Sequence, residues 1–222
     1  MNEAAGLLVL AARDFAGEPP ARVRLPGRVA PEFHGSWIRD AWRPPMSDRG
    51  RMHARDILID GFGRIQEEVH AALDGLDPDL LNRRPAPDAN SITWLVWHLT
   101  RIQDDHVAAA FDLDQVWLTQ GWEKRFGLDL PPRDHGYGHT PADVAKVTVD
   151  SAGLLTGYYD AVHEQTLGVL RELPAKDLER IVDTRFDPPV TLGVRLVSVL
   201  SDDLQHVGQA AYLRGLVQSA EA

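Results

Sequence analysis

Apolar residues recurring every three or four positions constrain this chain more than any other feature. Leu58, Phe62, Ile65, Val69, Leu73 and Leu76 keep that spacing. At 3.6 residues per turn they share one face, which predicts an amphipathic helix over residues 55–76. Pro78 and Pro85-Ala-Pro87 fill the connection that follows. Asn90-Ser91 offers an N-cap, and Trp94, Leu95, His98, Ile102 and Asp105 line one face of a second helix reaching about residue 111. Residues 112–140 read as a long connection rich in Gly, Pro and aromatic residues, a length that in a compact domain marks function or disorder. Thr140-Pro141-Ala142-Asp143 has the pattern of a capping box with Pro in the first turn. It predicts a third helix to about residue 173, stopped by Pro174. Pro188-Pro189-Val190-Thr191 introduces a fourth over residues 192–217. No alternating pattern of comparable length and no fixed repeat competes with this reading. Four long helices with one apolar stripe each predict an all-α fold, an up-and-down-type four-helix bundle over residues 52–222.

Residues 1–51 differ from the rest. They hold eight Arg against six Asp and Glu, and six Pro interrupt any helical period. A short helix over residues 7–13 is the only element expected there. The composition predicts a weakly ordered N-terminal extension, or an over-long gene start with Met46 or Met52 as the true initiator. The apolar run over residues 7–12 is too short to span a bilayer and lacks the basic flank of a secretory leader. With no Cys in the chain there are no disulfides and no thiolate sites, so a cytoplasmic location is expected. The net charge of −10 argues against nucleic acid as a partner.

The chemistry concentrates in Ser201-Asp-Asp-Leu-Gln-His-Val-Gly-Gln209. Asp202 and His206 are four apart, so they stand one turn above each other, as a metal held by a carboxylate and an imidazole requires. Asp203 and His206, three apart, form the rival pair. His98 sits in the middle of the second helix among Trp94, Leu95 and Ile102. A metal joining the two helices would give each buried polar side chain a partner. Two His and one carboxylate would leave coordination positions open, as catalytic sites do. Asp105, two turns past His98, is a candidate proton acceptor or partner to an imidazole N–H, and Gln209 a candidate hydrogen-bond partner to ligand or substrate. Arg195 either meets an anionic group or pairs with Asp202. Tyr137, with Trp117 and Trp122, is a candidate pocket-lining residue. His135 and His139 repeat the four-residue spacing, but between glycines in a loop.

Asn90-Ser-Ile-Thr-Trp-Leu-Val-Trp-His98-Leu, then Gly136-Tyr-Gly-His139-Thr-Pro, then Asp202-x-x-x-His206-Val-Gly-Gln209 together resemble the DinB/YfiT-like superfamily over residues 52–218. The resemblance implies a four-helix bundle whose second helix gives one His, and whose fourth gives two residues four apart, to a divalent metal. Those positions are His98, Asp202 and His206 here. Mycothiol-dependent maleylpyruvate isomerases and related actinobacterial thiol transferases of that superfamily carry Glu where this chain has Asp202, whose carboxylate reaches one methylene less far. By this likeness the chain is a metal-dependent enzyme activating a low-molecular-weight, mycothiol-like thiol for S-transfer or isomerisation of an electrophilic substrate. Zinc is the first expectation for the ion, with nickel or iron after it. Arg195 and Tyr137 become candidate cofactor-binding residues, and Asp105 and Gln209 candidate catalytic ones. The competing expectations are a metal-dependent hydrolase and a non-catalytic, stress-related bundle in which Asp202 pairs with Arg195. A homodimer is compatible with each, and no membrane partner is expected.

Overall fold

The computed structural model describes residues 6–9, 21–24 and 52–219, and the chain divides into two units, Met1–Pro45 and Met46–Ala222. In the first, β1 (Gly6–Val9) pairs antiparallel with β2 (Ala21–Arg24), Gly6 opposite Arg24. The helix expected over residues 7–13 is therefore not formed at 7–9, where ladder hydrogen bonds take the backbone groups a helix would need. The weak order and the alternative initiators expected within residues 1–51 otherwise lie outside the described residues.

The second unit opens with α1 (Ala54–Leu73), the one-turn α2 (Pro78–Asn82) and α3 (Ile92–Phe111). The Ser91 hydroxyl accepts from the Trp94 N–H at 3.1 Å and so starts α3 as expected. Short helices α4 (Val116–Thr119) and α5 (Trp122–Phe126) interrupt the long connection. Thr140 does build its capping box with Asp143, but it caps only α6 (Pro141–Val144). The third long helix, α7 (Ala152–Arg171), begins at its own cap, Ser151. The single helix expected over 140–173 is broken because Val147, Thr148 and Val149 are β-branched. The two valines are buried and the threonine is exposed, the alternation of extended backbone. A 3-10 turn at Ala175–Glu179 and the antiparallel strands β3 (Ile181–Asp183) and β4 (Val190–Thr191) lead into α8 (Leu192–Ser219).

The four long helices form the expected bundle. α1 and α3 each pack against both α7 and α8, so α1 and α3 occupy one diagonal and α7 and α8 the other. Cross-links fix the directions. Gly61 faces Leu200 and Arg214 reaches the Ala72 carbonyl, so α1 and α8 run the same way. Arg55 reaches the Arg171 carbonyl while Gln66 bonds Asp160, so α1 and α7 run oppositely. Asn82 ties Thr93 to Val149 where α3 and α7 begin. The sense is up, down, down, up. The 40-residue connection from α3 to α7 is long enough to return the chain to the end from which α3 started. Phe62, Ile65, Leu99, Tyr158, Leu196 and Val199 are among the buried core, and α3 is buried on nearly every face. Among the described residues no helix is long and apolar enough to cross a membrane.

Candidate metal centre

His98 from the middle of α3 meets Asp202 and His206 from the middle of α8, with one ligand atom of each lying within 4.8 Å of the others. The local reasons are simple. The i,i+4 spacing stacks Asp202 and His206, leaving 3.6 Å between Oδ1 and Nε2, and α3 and α8 run antiparallel side by side, so their midpoints coincide. The His98 and His206 rings stand edge to face, 4.8 Å between centroids.

The tautomers follow from the hydrogen bonds. His98 Nδ1 contacts the His135 backbone carbonyl. A carbonyl only accepts, so Nδ1 carries the proton and the Nε2 lone pair is free. His206 Nδ1 lies 3.2 Å from Gln209 Oε1, which assigns its proton the same way. Both rings thus hold the polarisation a metal ligand needs from its outer partner. His98 is only 5% exposed and stacks on Trp94 at 4.6 Å. Burial, reinforced by the neighbouring His206, lowers its pKa to about 4 against the opposing pull of the His135 carbonyl, so the ring is neutral over the physiological range. Burial also raises the Asp202 carboxyl, opposed by His206, and Asp202 Oδ2 is buried without a hydrogen-bond partner. An unpartnered buried carboxylate oxygen beside two imidazoles with free Nε2 atoms fits a divalent cation, which would satisfy all three.

Asp203 is excluded from this group by its direction. It falls on the core stripe of α8 between Val199 and Val207, fully buried, and neither carboxylate oxygen has a partner. Burial, and then the charge of Asp202, pushes its pKa well above the usual carboxylate range.

The loop over residues 134–139 closes one side of the centre. Gly136 adopts φ +90°, and a Cβ there would come 2.8 Å from His98 Nδ1 and 3.1 Å from both Trp94 and Trp97. Only glycine permits that backbone to lie on the ring while its neighbour's carbonyl accepts from it. His139 accepts from Trp94 Nε1 at 3.1 Å and meets Asp134 Oδ1 at 3.0 Å, so both its nitrogens are committed to bracing the loop.

The other predicted residues lie elsewhere. Asp105 accepts from Gln115 Nε2 at 2.6 Å, and the N–H of His98 goes to His135 instead. Arg195 binds Asp183 at 2.7 Å, not Asp202, which removes the ion pair on which the non-catalytic reading leaned. Asp105 and Arg195 share a separate cavity of about 170 Å³ with His106 and Arg185. Tyr137 is 86% exposed, its ring beside His135. Gln209 alone among the four touches a ligand-set residue.

Sequence reasoning missed the support beneath the loop. Arg101 and Asp104 are buried in α3 and paired at 3.4 Å. Arg101 donates to Tyr158, Gln115 and the Asp134 carbonyl, and Asp104 accepts from Tyr158 and from the Val116 and Trp117 N–H groups that open α4. The available signal was a charged pair three apart in a helix whose other residues include Trp94, Leu95, Leu99 and Ile102.

With that geometry established, the sequence profile of the DinB superfamily matches residues 62–210, which takes in both ligand-bearing helices. The chain belongs to the DinB superfamily. A solved structural neighbour is a conserved protein from Enterococcus faecalis, 36% identical, with a TM-score of 0.72 over 76% of this chain and 99% of that one. No curated protein matches.

Proposed function

We propose that this DinB protein is a divalent-metal-dependent enzyme acting on a low-molecular-weight thiol and an electrophilic second substrate. The observation that carries the reading is the donor set. Two imidazoles offer Nε2 and one half-buried carboxylate offers an unpartnered oxygen, with one ligand atom of each residue within 4.8 Å of the others. Three protein ligands leave coordination positions free, the mark of a catalytic rather than structural site. A divalent ion held there would supply the positive charge that lowers a thiol's pKa and favours its nucleophilic form. Because the chain has no Cys, the sulfur comes from a co-substrate.

The chain's own residues divide the remaining tasks. His98, Asp202 and His206 would hold the ion. His135 and Gln209 fix the two ring orientations through Nδ1–H. Trp94 shields the His98 face from water, and Gly136 keeps the loop close without occupying the site. Zinc suits two imidazoles and a carboxylate, as do nickel and iron.

The test measures metal content in untagged protein, then activity with mycothiol, bacillithiol or glutathione against a bimane electrophile, with and without chelator. The reading expects about one equivalent of metal, a rate first order in thiol, and loss of activity on chelation. Chelator-sensitive hydrolysis of esters or amides without thiol would replace it with a metal hydrolase. Metal-free protein with no thiol-dependent rate would overturn both.

A further inference from the structure

The cavity of about 170 Å³ at the β3–β4 hairpin gathers charges of both signs that the metal centre does not use. Asp105 and His106 come from α3, Asp183 and Arg185 from the hairpin, and Arg195 from α8. The Asp183 side chain is 5% exposed and accepts from both guanidiniums. Arg185 donates through Nε at 3.0 Å and Nη2 at 2.8 Å, and Arg195 through Nη2 at 2.7 Å. The side chain and backbone N–H of Arg185 hold that carboxyl well below the usual range, so it is ionised. Two cations thus share one anion. Asp105 has the opposite imbalance. It accepts from the uncharged Gln115 amide at 2.6 Å, and His106 Nδ1 lies 3.6 Å from its other oxygen. Burial, and then Arg195, lower the His106 pKa against the pull of Asp105, so that ring is neutral at neutral pH.

Helical geometry places this cavity relative to the metal centre. Asp105 lies seven residues past His98, and Arg195 seven before Asp202. Seven residues are nearly two turns, so each keeps the face of its ligand neighbour, about 10 Å further along the helix. Because α3 and α8 run antiparallel, both displacements go the same way. His135 marks the continuity, since its carbonyl meets His98 while its side chain lies within electrostatic reach of His106. Buried Ile102 and exposed Ser198, one turn from His98 and Asp202 respectively, stand between the two places.

A ligand for such a cavity brings both charges. A plain anion would meet the arginine pair but also Asp105, and a plain cation would meet the reverse. A carboxylate and an ammonium on one carbon answer the excess positive charge at Arg185 and Arg195 and the excess negative charge at Asp105 together. Guanidinium forks match carboxylates in shape as well as charge, and Asp183 holds two of them ready. We propose that the cavity is a subsite for an α-amino-acid head group, its carboxylate on Arg195 and Arg185 and its ammonium on Asp105, belonging to a substrate whose other end reacts at the metal centre. An extended molecule of about three residues' length spans the roughly 10 Å between them. The inference rests on the proposed function for what happens at that far end, whereas binding of the head group needs no metal. The head belongs to the thiol or to the electrophile, and the two are separable by experiment.

Calorimetric titration of the metal-free full chain tests it with two probes. S-methylglutathione carries the head on a thiol whose sulfur is blocked, and L-norleucine carries it on an inert chain. Saturable binding of either is the expected result; tighter S-methylglutathione assigns the head to the thiol, and tighter norleucine assigns it to the electrophile. Hexanoate and norleucinamide each lack one of the two charges and should bind on the order of tenfold or more weakly than norleucine. Asp105→Asn and Arg185→Gln should weaken the tighter probe by a similar factor. Arg185 is exposed, so Arg185→Gln keeps the test informative should Asp105→Asn disturb α3, which circular dichroism will show. Metal content measured in the same variants should match the wild type, so failure of the metal site and failure of the subsite are read separately. No binding of either probe up to about 10 mM, hexanoate binding as tightly as norleucine, or indifference to both substitutions would each overturn the proposal.

Discussion

Which nitrogen of His98 carries the proton decides whether the ring can be a ligand, and the His135 carbonyl settles it. Single changes should separate the ligand set from its neighbours. His98→Ala, Asp202→Ala and His206→Ala should each reduce bound metal from about one equivalent to less than a tenth, whereas Asp203→Asn should keep it, as metal analysis after dialysis will show. Asp203→Asn should also fold at least as well, because it replaces a buried acid whose oxygens have no partner. Gly136→Ala should weaken metal binding without touching a ligand, since both the positive φ and the 2.8 Å approach to His98 oppose a Cβ. The backbone strain alone is worth about 1–3 kcal/mol. Away from the centre, the Thr140 hydroxyl, Lys146 and the Thr140 N–H hold Asp143 down to about 2. A depressed carboxylate stabilises above its unfolded pKa and loses that contribution as pH falls through the folded one. The Asp143 carboxyl resonance should therefore titrate near pH 2, and a midpoint near 4 would show that the α6 cap does not form in solution.

At the scale of elements, α3 is the organiser. It supplies His98 to the centre and, one turn on, the Arg101–Asp104 pair that anchors α4 and the Asp134 carbonyl. Removing one partner from a buried pair leaves the other uncompensated, so Asp104→Ala should cost about 3–5 kcal/mol. Hydrogen exchange should then rise first across residues 112–140, before α1 or α8 opens; uniform loss of protection would show that the pair supports the whole bundle instead. The clustering of His98, Asp202 and His206 was legible in the sequence because helical spacing converts directly into geometry: Asp202 and His206 need only one helix, and His98 only the middle of another. Of their outer partners, Gln209 was legible, three residues past His206, and His135 was not. The His98 N–H goes to a backbone carbonyl 37 residues away, which no side-chain pattern encodes, and so Asp105 looked the better candidate. The break before α7 was missed because the Thr140 capping box is real but initiates only one turn, while the valine-rich stretch behind it extends.

The whole molecule divides more simply than its parts. Among the described residues, each long helix of the bundle finds its buried neighbours from Leu58 onward, Phe62, Tyr158 and Val199 among them. In the sequence the apolar stripes begin there, after a proline-broken, basic stretch. Four helices and their order could be read from period alone; their up-down-down-up sense could not, because a 40-residue connection permits either direction. A chain beginning at Met52 should therefore keep the helical circular dichroism of the full protein and melt within a few degrees of it, about what a change under 1 kcal/mol allows for this size. It should also bind metal as the full chain does, since His98, Asp202, His206, His135 and Gln209 all lie beyond the cut. The two readouts bear on different things. Loss of the melting transition would mean that residues 1–51 complete the core. A normal melt with lost metal would mean instead that they brace the centre from outside the bundle.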